Sequence, residues 1–540
     1  MKDEIRELVK ETIETLQKEQ KLPQFQIPEI SVEYSEKEIY GDYSTNIAME
    51  IGKLIKKNSS EIANILKNNF QGKRFRLQDK LDKIEIAEPG FINFFLSKKY
   101  LQEQIGEILR KGEKFGKLDI GKNKRIQVEF ISANPTGPLT LGNGRGGFCG
   151  DVLANVLNKA GYEVEREYYI NDVGEQIRRL GHSVIGDEQA VYKGEYIKEL
   201  RKRIKEKEPE KVGQAAAKIV LEEIIKPSVK KMGINFDVWF SEKSLYEKKE
   251  VEKMLSWLKE NKLAYEKEGA LWFKSSKFGD EKDRVLVKAD GEKTYFASDI
   301  AYLKNKFERG FDYLIYIWGA DHYGYIKRME AAAEALGYRK EQIKIIIMQL
   351  VRLLEDGQPV RMSKRKGTYI TIDELVDEIG LDVARFFFLQ RNPGSHLNFD
   401  FSLAKEKSEK NPVYYVQYAF ARICSILAKL KNKEQRTKNK KSSLFTVHYS
   451  LLNHSSELSL IKQLIRFPEI IEDTAKDCQV QRFPQYAQEL AASFHQFYRD
   501  CRVLTENKEL SEARLNLILA TKIVLKNVLD IMGISAPEKM

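Results

Sequence analysis

Cysteine is scarce in this sequence, and long apolar runs are missing from it. Four cysteines occur among 540 residues, far apart and without a Cys-x-x-Cys pair. This spacing argues against a disulfide framework or a cysteine-rich zinc site and is typical of a reducing compartment. No run of 18 apolar residues occurs, so we expect no membrane-spanning helix and no membrane partner. The first residues form an acidic amphipathic pattern, unlike a signal or transit peptide, and predict a cytoplasmic protein.

Charge and length narrow the class of protein further. Lys+Arg number 91 and Asp+Glu 80, a formal net charge of +11, and 42% of the residues are hydrophobic. That apolar share is enough for sizeable cores and excludes a chain that is disordered throughout. At roughly 150 residues per domain the length predicts three or four domains. The modest positive excess fits a polyanionic partner such as nucleic acid but does not decide for one.

The two ends of the chain show different patterns. Residues 1–112 predict a small α+β unit. Its helices are predicted over about 2–20 and 44–69, and its strands over 82–87 and 91–96. Residues 401–540 show helical periodicity and predict an all-α bundle.

The middle of the chain, residues 113–400, alternates strands with helices. The pattern over 125–170 is strand, loop, helix and strand, which predicts a βαβ unit in a parallel sheet. Over about 175–280 the pattern is mostly charged and helical, and we expect a solvated helical insertion there. Strands are predicted again at 284–288, 312–319 and 344–350.

A glycine-rich loop, residues 134–146 (NPTGPLTLGNGRG), lies between the first strand and the first helix of this middle region. Glycine lets the backbone approach a ligand closely, and a helix N-terminus offers free N–H groups and a positive dipole end to phosphate. In open α/β sheets, ligands bind at the carboxyl ends of strands, where this loop lies. By itself, the loop could equally be a tight connection.

A basic loop, residues 361–367 (RMSKRKG), precedes the capping box Thr371-x-x-Glu374. Such a loop can clamp a triphosphate and follow the charge that moves onto departing pyrophosphate. Taken alone, it could be solvated surface.

Together the two loops resemble the paired signatures of class I aminoacyl-tRNA synthetases, H-x-G-H and K-M-S-K-S. The segments VEFISANPTGPL, YYINDVGEQI, YFASDIAY, DVARFFFL and NPVYYVQYAFARI resemble the arginyl-tRNA synthetases in particular. This resemblance covers nearly the whole chain. It implies a Rossmann-like class I catalytic core with a helical insertion, an N-terminal α+β tRNA-binding domain and a C-terminal all-α anticodon-binding bundle.

The resemblance also implies site residues for catalysis and for ATP. The implied catalytic residues are Thr140, Gly142, Asn143 and Lys364. The implied ATP-binding residues are Pro138, Leu141, Gly142, Asn143, Gly319, Asp321, His322, Met362, Ser363 and Lys364. Thr140 and Asn143 replace the two signature histidines; each can donate a hydrogen bond but cannot carry charge. Losing a transition-state donor costs on the order of a hundredfold in turnover, and we expect a shorter donor to cost less.

Recognition of arginine requires carboxylates, because a guanidinium pairs with them in a planar, bidentate way. The residues implied for arginine are Glu129, Ser132, Asn134, Tyr295 and Asp299. We expect Asp299 to pair with the guanidinium and Tyr295 to pack on it or bond to it. Glu129 or Asn134 would hold the α-amino group. Asp299 could instead be a helix N-cap.

Candidate contacts with tRNA lie in the two outer regions. Asn93 and Phe91 on a predicted strand could present an amide and an aromatic ring to an unstacked base. Tyr415 and Tyr418 in the helical region could stack on bases. For Phe91 and for the two tyrosines, a place in the core is the alternative.

The predicted reaction is ATP-dependent ligation of L-arginine to tRNA(Arg) by a monomer, with Mg²⁺ accompanying ATP and no protein-bound metal or cofactor. One alternative is the synthetase for cysteine, whose zinc-binding cysteines are absent here. Others are a non-catalytic tRNA-binding paralogue and a small-molecule nucleotidylyltransferase, which would not need the long helical C-terminal region.

Overall fold

The N-terminal region folds as an antiparallel sheet with helices packed on it. The computed structural model describes residues 1–35, 37–70, 77–359, 371–436 and 448–540, without the side chains of 430–436. The strands are β1 (Glu33–Tyr34), β2 (Tyr43–Thr45), β3 (Leu81–Ala87) and β4 (Phe91–Leu96), in the order β1-β2-β4-β3. The helices are α1 (Lys2–Lys18), α2 (Ile47–Ile55), α3 (Ser59–Asn69) and α4 (Lys98–Lys111). The single helix predicted over 44–69 is two helices, because the chain turns at Lys56 with a left-handed φ of 54°.

A five-stranded parallel sheet forms the centre of the middle region. Its strands are β5 (Arg125–Glu129), β6 (Glu163–Ile170), β7 (Val238–Ser241), β11 (Tyr313–Gly319) and β12 (Ile343–Met348), in the order β12-β11-β5-β6-β7. Helix α5 (Leu141–Lys159) connects β5 to β6, as the βαβ pattern predicts. Because β5 is central and all five strands are parallel, the loops after β5, β6, β7 and β11 meet at one edge of the sheet.

The predicted helical insertion at 175–280 is only partly right. Its first part contains α6 (Glu175–Ile185), α7 (Glu195–Arg203), α8 (Pro209–Val220) and α9 (Lys226–Lys231), with a π-helical turn at Leu221–Ile225. Beyond these helices the stretch is mixed: two more helices occur at 243–247 and 250–260, but the prediction of a purely helical insertion is wrong, because β7 joins the central sheet beside β6. Further on, β8 (Ala264–Lys267), β9 (Ala270–Phe273) and β10 (Arg284–Val287) form a small antiparallel sheet. The strand predicted at 284–288 is β10, whereas β8 and β9 were missed because each has only four residues in a charged surrounding.

The remaining elements complete the core and build the C-terminal bundle. The core adds α10 (Lys243–Glu247), α11 (Glu250–Glu260), α12 (Tyr295–Glu308), α13 (Ile326–Ala335), β13 (Val351–Glu355), β14 (Gln358–Pro359), α14 (Ile372–Ile379), α15 (Leu381–Leu389), β15 (Leu397–Asp400) and α16 (Phe401–Lys405). The bundle contains α17 (Pro412–Arg436), α18 (Ser455–Ile465), α19 (Phe467–Asp477), α20 (Arg482–Asp500) and α21 (Lys508–Met532). The capping box at Thr371 and Glu374 is confirmed. Within the described ranges, no helix is long and apolar enough to span a bilayer.

A buried arginine joins the core to the bundle. Arg385 on α15 is 1% exposed, and its Nη1 donates to Asp151 Oδ2 at 2.9 Å and to the carbonyl of Met532 at 3.0 Å. Its Nη2 donates to the carbonyls of Met232 and Gly233 at 2.9 and 3.0 Å. One guanidinium therefore satisfies acceptors from α5, from the end of α9 and from the end of α21.

Substituting Arg385 by Met should destabilise the whole protein. It removes one of the two arginine partners of the buried Asp151 carboxylate, which keeps Arg166 Nε at 3.3 Å, and it orphans three carbonyls; the combined loss is about 3–5 kcal/mol. Scanning calorimetry should show a thermal midpoint lowered by several degrees. Arg110→Met is the matched control, because the Arg110 side chain is exposed and, among the described residues, its hydrogen bonds go to Glu107 alone. Equal midpoints for the two variants would contradict the role given to Arg385.

Candidate active site

The chain reverses sharply where β5 ends. Ile131 and Ser132 have φ angles of 65° and 38°, in the left-handed region that residues other than glycine rarely adopt. Such a conformation costs about 1–3 kcal/mol and persists only where surrounding contacts fix it. Here Ser132 Oγ accepts from the backbone N–H of Tyr169 at 3.1 Å, and the Tyr168 hydroxyl donates to the Ala133 carbonyl at 2.9 Å. Neighbouring β6 thus holds the start of the loop in a fixed position.

A fully buried ion pair lies under this loop. Glu129, the last residue of β5, accepts from Lys306 Nζ of α12 at 2.5 Å, and the lysine side chain has no exposed area. The ammonium lies 4.2 and 4.0 Å from the ring centroids of Tyr302 and Tyr316. Burial lowers the pKa of Lys306, and the charge of Glu129 opposes that shift. Lys306 therefore already balances the charge of Glu129, the candidate for the α-amino group.

The first two turns of α12 carry two further arginine candidates. Tyr295 is 51% exposed, and Asp299, one turn later, is partly buried and accepts from the hydroxyl of Tyr325. Burial raises the pKa of Asp299 to about 7, and the nearby charge of Glu129 adds to the shift. The alternative of a helix N-cap is wrong, because α12 begins at Tyr295 and its N-cap is Thr294. The Asp299 carboxyl thus ionises less readily than an exposed aspartate does.

Glu242, which the sequence interpretation missed, lies beside Asp299. It follows β7, is 2% exposed, and accepts from the Ser298 hydroxyl at 2.9 Å. Burial raises its pKa to about 7, and the neighbouring carboxylates of Asp299 and Asp172 contribute. Glu242 was missed because it lies in the stretch predicted as a solvated insertion. The apolar run of residues 238–240 just before it was the one sequence feature that could have indicated a buried strand there.

Carboxylates outnumber cations between the sheet and α12. Lys306 pairs with Glu129, and Arg309 bonds to both Glu165 and Glu167. Asp299 and Glu242 have hydroxyl partners, but within the described ranges neither has an ion-pair partner. Because buried charges need partners, the arrangement is suited to a cationic ligand with several N–H donors.

The glycine-rich loop ends at the N-terminus of α5, at the same edge of the parallel sheet. Thr140 is the N-cap of α5 and forms a reciprocal capping box with Asn143. Leu141 is buried, so Leu141 and Gly142 can offer a ligand only backbone N–H groups. Pro138 is partly buried, and Asn134 makes no side-chain hydrogen bond to another described residue. Arg145 is buried and donates to the carbonyls of Gln349 and Asn392, which leaves no free guanidinium in this loop.

The start of α14 is bonded to this loop. The backbone N–H of Ile372 donates to the carbonyl of Leu139 at 3.1 Å, and Thr140 and Thr371 form an antiparallel bridge. A Cβ at Gly144 would lie 2.5 Å from Ile372 Cδ1, so a larger residue there would have to displace the Ile372 side chain. The basic loop 361–367, with Met362, Ser363 and Lys364, lies outside the described residues.

The loop after β11 lies at the same sheet edge as the end of β5. Its residues Gly319, Asp321 and His322 are exposed, with His322 Nε2 3.6 Å from Asp321 Oδ2. The ring of His322 lies 5.8 Å from that of Trp318. His322 is therefore not a buried structural histidine, and the three residues are accessible to a ligand.

The tRNA candidates differ in accessibility. On β4, Phe91 is 38% exposed and so is not core, whereas Asn93 is 3% exposed and accepts from the Ser44 hydroxyl at 2.7 Å. On α17, Tyr415 packs against His495 with ring centroids 4.8 Å apart. Tyr418 is 38% exposed and covered by the guanidinium of Arg422, 4.6 Å from its ring centroid. The side chains of Phe91 and Tyr418 are thus accessible at the surface, whereas those of Asn93 and Tyr415 are mainly packed.

Family models match the chain from end to end. The arginyl tRNA synthetase N-terminal domain matches residues 3–96, the class I (R) tRNA synthetase catalytic domain matches 104–207 and 186–400, and the DALR anticodon-binding domain matches 416–540. The chain belongs to the arginyl-tRNA synthetase family.

Individual relatives of this family agree with that assignment. The chain is 48% identical over 532 residues to an arginine–tRNA ligase of Carboxydothermus hydrogenoformans, with 94% of each chain covered. It is 44% identical to one of Caldanaerobacter subterraneus subsp. tengcongensis, with 100% of this chain and 99% of the relative covered. A putative arginyl-tRNA synthetase structure from Campylobacter jejuni is 36% identical with a TM-score of 0.72, covering 82% of this chain and all of the other.

The three-domain architecture also agrees with a more distant member of the family. The arginyl-tRNA synthetase of Thermus thermophilus is 21% identical, covers both chains fully and superposes with a TM-score of 0.79, which bears on the fold alone. The fold class predicted from the sequence is confirmed: a class I α/β core, an N-terminal α+β domain and a C-terminal helical bundle.

Substituting Lys306 by Met should leave Glu129 as an uncompensated buried carboxylate. The expected loss of stability is about 3–5 kcal/mol, seen as a lower urea midpoint. Replacing Glu129 by Gln in the same chain should recover most of the loss. Lys304→Met on the same helix is the control, since Lys304 is partly exposed and pairs with Glu308 one turn away. If the Lys306 variant were as stable as this control, the pair would not be the support we describe.

Proposed function

We propose that the protein activates L-arginine with ATP and transfers the arginyl group to the 3′ end of tRNA(Arg). The observation that supports this most strongly is the pair of carboxyls, Asp299 and Glu242, that have no cationic partner in the described part of the chain. They lie at the carboxyl edge of the parallel sheet, where the loop before α5 also ends. A guanidinium supplies the positive charge and the several N–H donors that such a pair accepts.

The reaction has two steps. An oxygen of the arginine carboxylate attacks the α-phosphorus of ATP, and the bond to the bridging oxygen breaks, giving arginyl-adenylate and pyrophosphate. The 2′-hydroxyl of the terminal adenosine of tRNA then attacks the arginyl carbonyl, and AMP leaves. The protein contributes positioning and stabilisation of the developing charge. Mg²⁺ enters with ATP, and we assign no protein-bound metal or organic cofactor.

The arginine side of the site divides into two ends. Asp299 and Glu242 take the guanidinium, with Tyr295 packing on it from the exposed side. Asn134 and the Glu129–Lys306 pair receive the α-amino end. Ser132 supports the loop, because its Oγ accepts from the Tyr169 N–H, and its hydroxyl proton can still be donated to the ligand.

The ATP side is formed by the two loops and the end of β11. The N-terminus of α5 with Thr140, Gly142 and Asn143 takes phosphate, together with Met362, Ser363 and Lys364 of the basic loop. Gly319, Asp321 and His322 face the adenosine, and Pro138 and Leu141 shape the loop. Phe91, Asn93, Tyr415 and Tyr418 contact tRNA from the outer domains, which we place at 1–112 and 401–540. We propose a cytoplasmic monomer.

A non-catalytic tRNA-binding paralogue is not favoured. Such a protein would have no need of buried carboxyls held at a raised pKa, which are costly to keep without a cation.

Charging of total tRNA with each of several labelled amino acids tests the function directly. With ATP and Mg²⁺ present, we expect incorporation of arginine alone. ATP–pyrophosphate exchange, run with and without tRNA, shows whether tRNA completes the site for the first step. Binding of tRNA without charging of any amino acid would contradict the proposal and favour the paralogue.

Substituting Asp299 by Asn, or Glu242 by Gln, should weaken arginine recognition selectively. Loss of a charge-assisted hydrogen bond of about 1.5–3 kcal/mol corresponds to a rise in the arginine KM of roughly ten- to a hundredfold. The ATP KM of both variants should change by less than about twofold. The reciprocal control is Asp321→Asn, which should raise the ATP KM and leave that for arginine unchanged. Equal changes in both constants for Asp299→Asn would reduce Asp299 to a structural residue.

A further inference from the structure

The two residues that replace the signature histidines bond to each other. The backbone N–H and the hydroxyl of Thr140 both donate to Asn143 Oδ1, at 2.9 and 2.8 Å. In return, the backbone N–H of Asn143 donates to Thr140 Oγ at 3.3 Å. The Thr140 hydroxyl proton is therefore already used, and both acceptor positions of Asn143 Oδ1 are filled.

These bonds fix which way the amide of Asn143 faces. Turning the amide over would set its NH₂ group against the N–H of Thr140, donor against donor. Nδ2 consequently points away from the cap, and among the residues that the structure describes it has no hydrogen-bond partner. Of the two side chains, only that of Asn143 still has hydrogen-bond donors available for a ligand.

The backbone around Thr140 is held from its other side as well. Thr140 is bridged to Thr371, and Leu139 accepts from the N–H of Ile372. The residue that orients Asn143 is thus itself anchored in the core, which limits any adjustment of the loop toward the ligand.

We propose that Thr140 and Asn143, which replace the two signature histidines, have different roles. Asn143 Nδ2 is the side-chain donor to the phosphate of ATP, and Thr140 is a positioning residue that acts only through Asn143. This inference rests on the proposed function, in which the N-terminus of α5 receives ATP. It differs from the sequence expectation that Thr140 and Asn143 both donate to the ligand.

A double-mutant cycle separates positioning from direct contact. Arginine charging is measured with tRNA present, and kcat and the ATP KM are determined for Thr140→Val, Asn143→Ala and the double variant. Thr140→Val should lower kcat/KM for ATP by roughly tenfold, whereas Thr140→Ser should stay within about twofold of the parent, since it keeps the hydroxyl. In the Asn143→Ala background, Thr140→Val should cause no further loss, because its target is gone. An additive double variant would show that Thr140 contacts the substrate itself and would overturn the inference.

The substitution Asn143→Asp separates the loss of the amide donor from the loss of the helix cap. An aspartate keeps the acceptor oxygen for Thr140 and suits a helix N-terminus, so the thermal midpoint should not fall. It replaces the amide donor by a negative charge, and kcat should fall on the order of a hundredfold or more while the arginine KM is unchanged. A fully active Asn143→Asp enzyme would overturn the inference even though the parent charges arginine. A parent protein that charges no arginine would overturn the proposed function, and this inference with it.

Discussion

Unbalanced negative charge buried at one edge of a parallel sheet is the constraint on which the site depends. Parallel pairing of β5 with β6 places Glu129 and Glu167 side by side. Carboxylates in such a place must be paired or neutralised. Lys306 and Arg309, both projecting from α12 or its end, satisfy Glu129, Glu165 and Glu167. The position of α12 against the sheet is therefore fixed by charge as well as by apolar packing.

The same helix then brings two further carboxyls to the edge and leaves them without a cation. Asp299 lies on α12, and the hydroxyl of Ser298 beside it donates to Glu242, the residue after β7. Their raised pKa values record the cost of that arrangement. In our account the cost is offset when the guanidinium of arginine binds, so that recognition of the side chain and relief of unfavourable burial are one event. In the same proposal, the N-terminus of α5 offers ATP backbone N–H groups and the neutral amide of Asn143.

Much of this architecture could be predicted from local sequence. The strand β6, the helix α5 and the capping box at Thr371 follow from periodicity and cap chemistry, which act over a few residues. Strand β7 could not be predicted in this way, because four residues in a charged surrounding show too little periodicity. Glu242, which follows β7, was missed for the same reason. The bond between Lys306 and Glu129 joins residues 177 apart and leaves no trace in the spacing. Nor could the sequence show that the side chains of Thr140 and Asn143 hydrogen-bond to each other.

The most direct test is the proton balance of arginine binding, measured by calorimetry in buffers of different ionisation enthalpy. With Asp299 and Glu242 each near pKa 7 in the free protein, pairing with a guanidinium should release about one proton per arginine at pH 7. Release should approach two protons at pH 6 and vanish well above pH 8, while affinity rises with pH through 7 and then levels. The variant carrying both Asp299→Asn and Glu242→Gln should release none. Arginine binding without proton release at pH 6 would contradict the account.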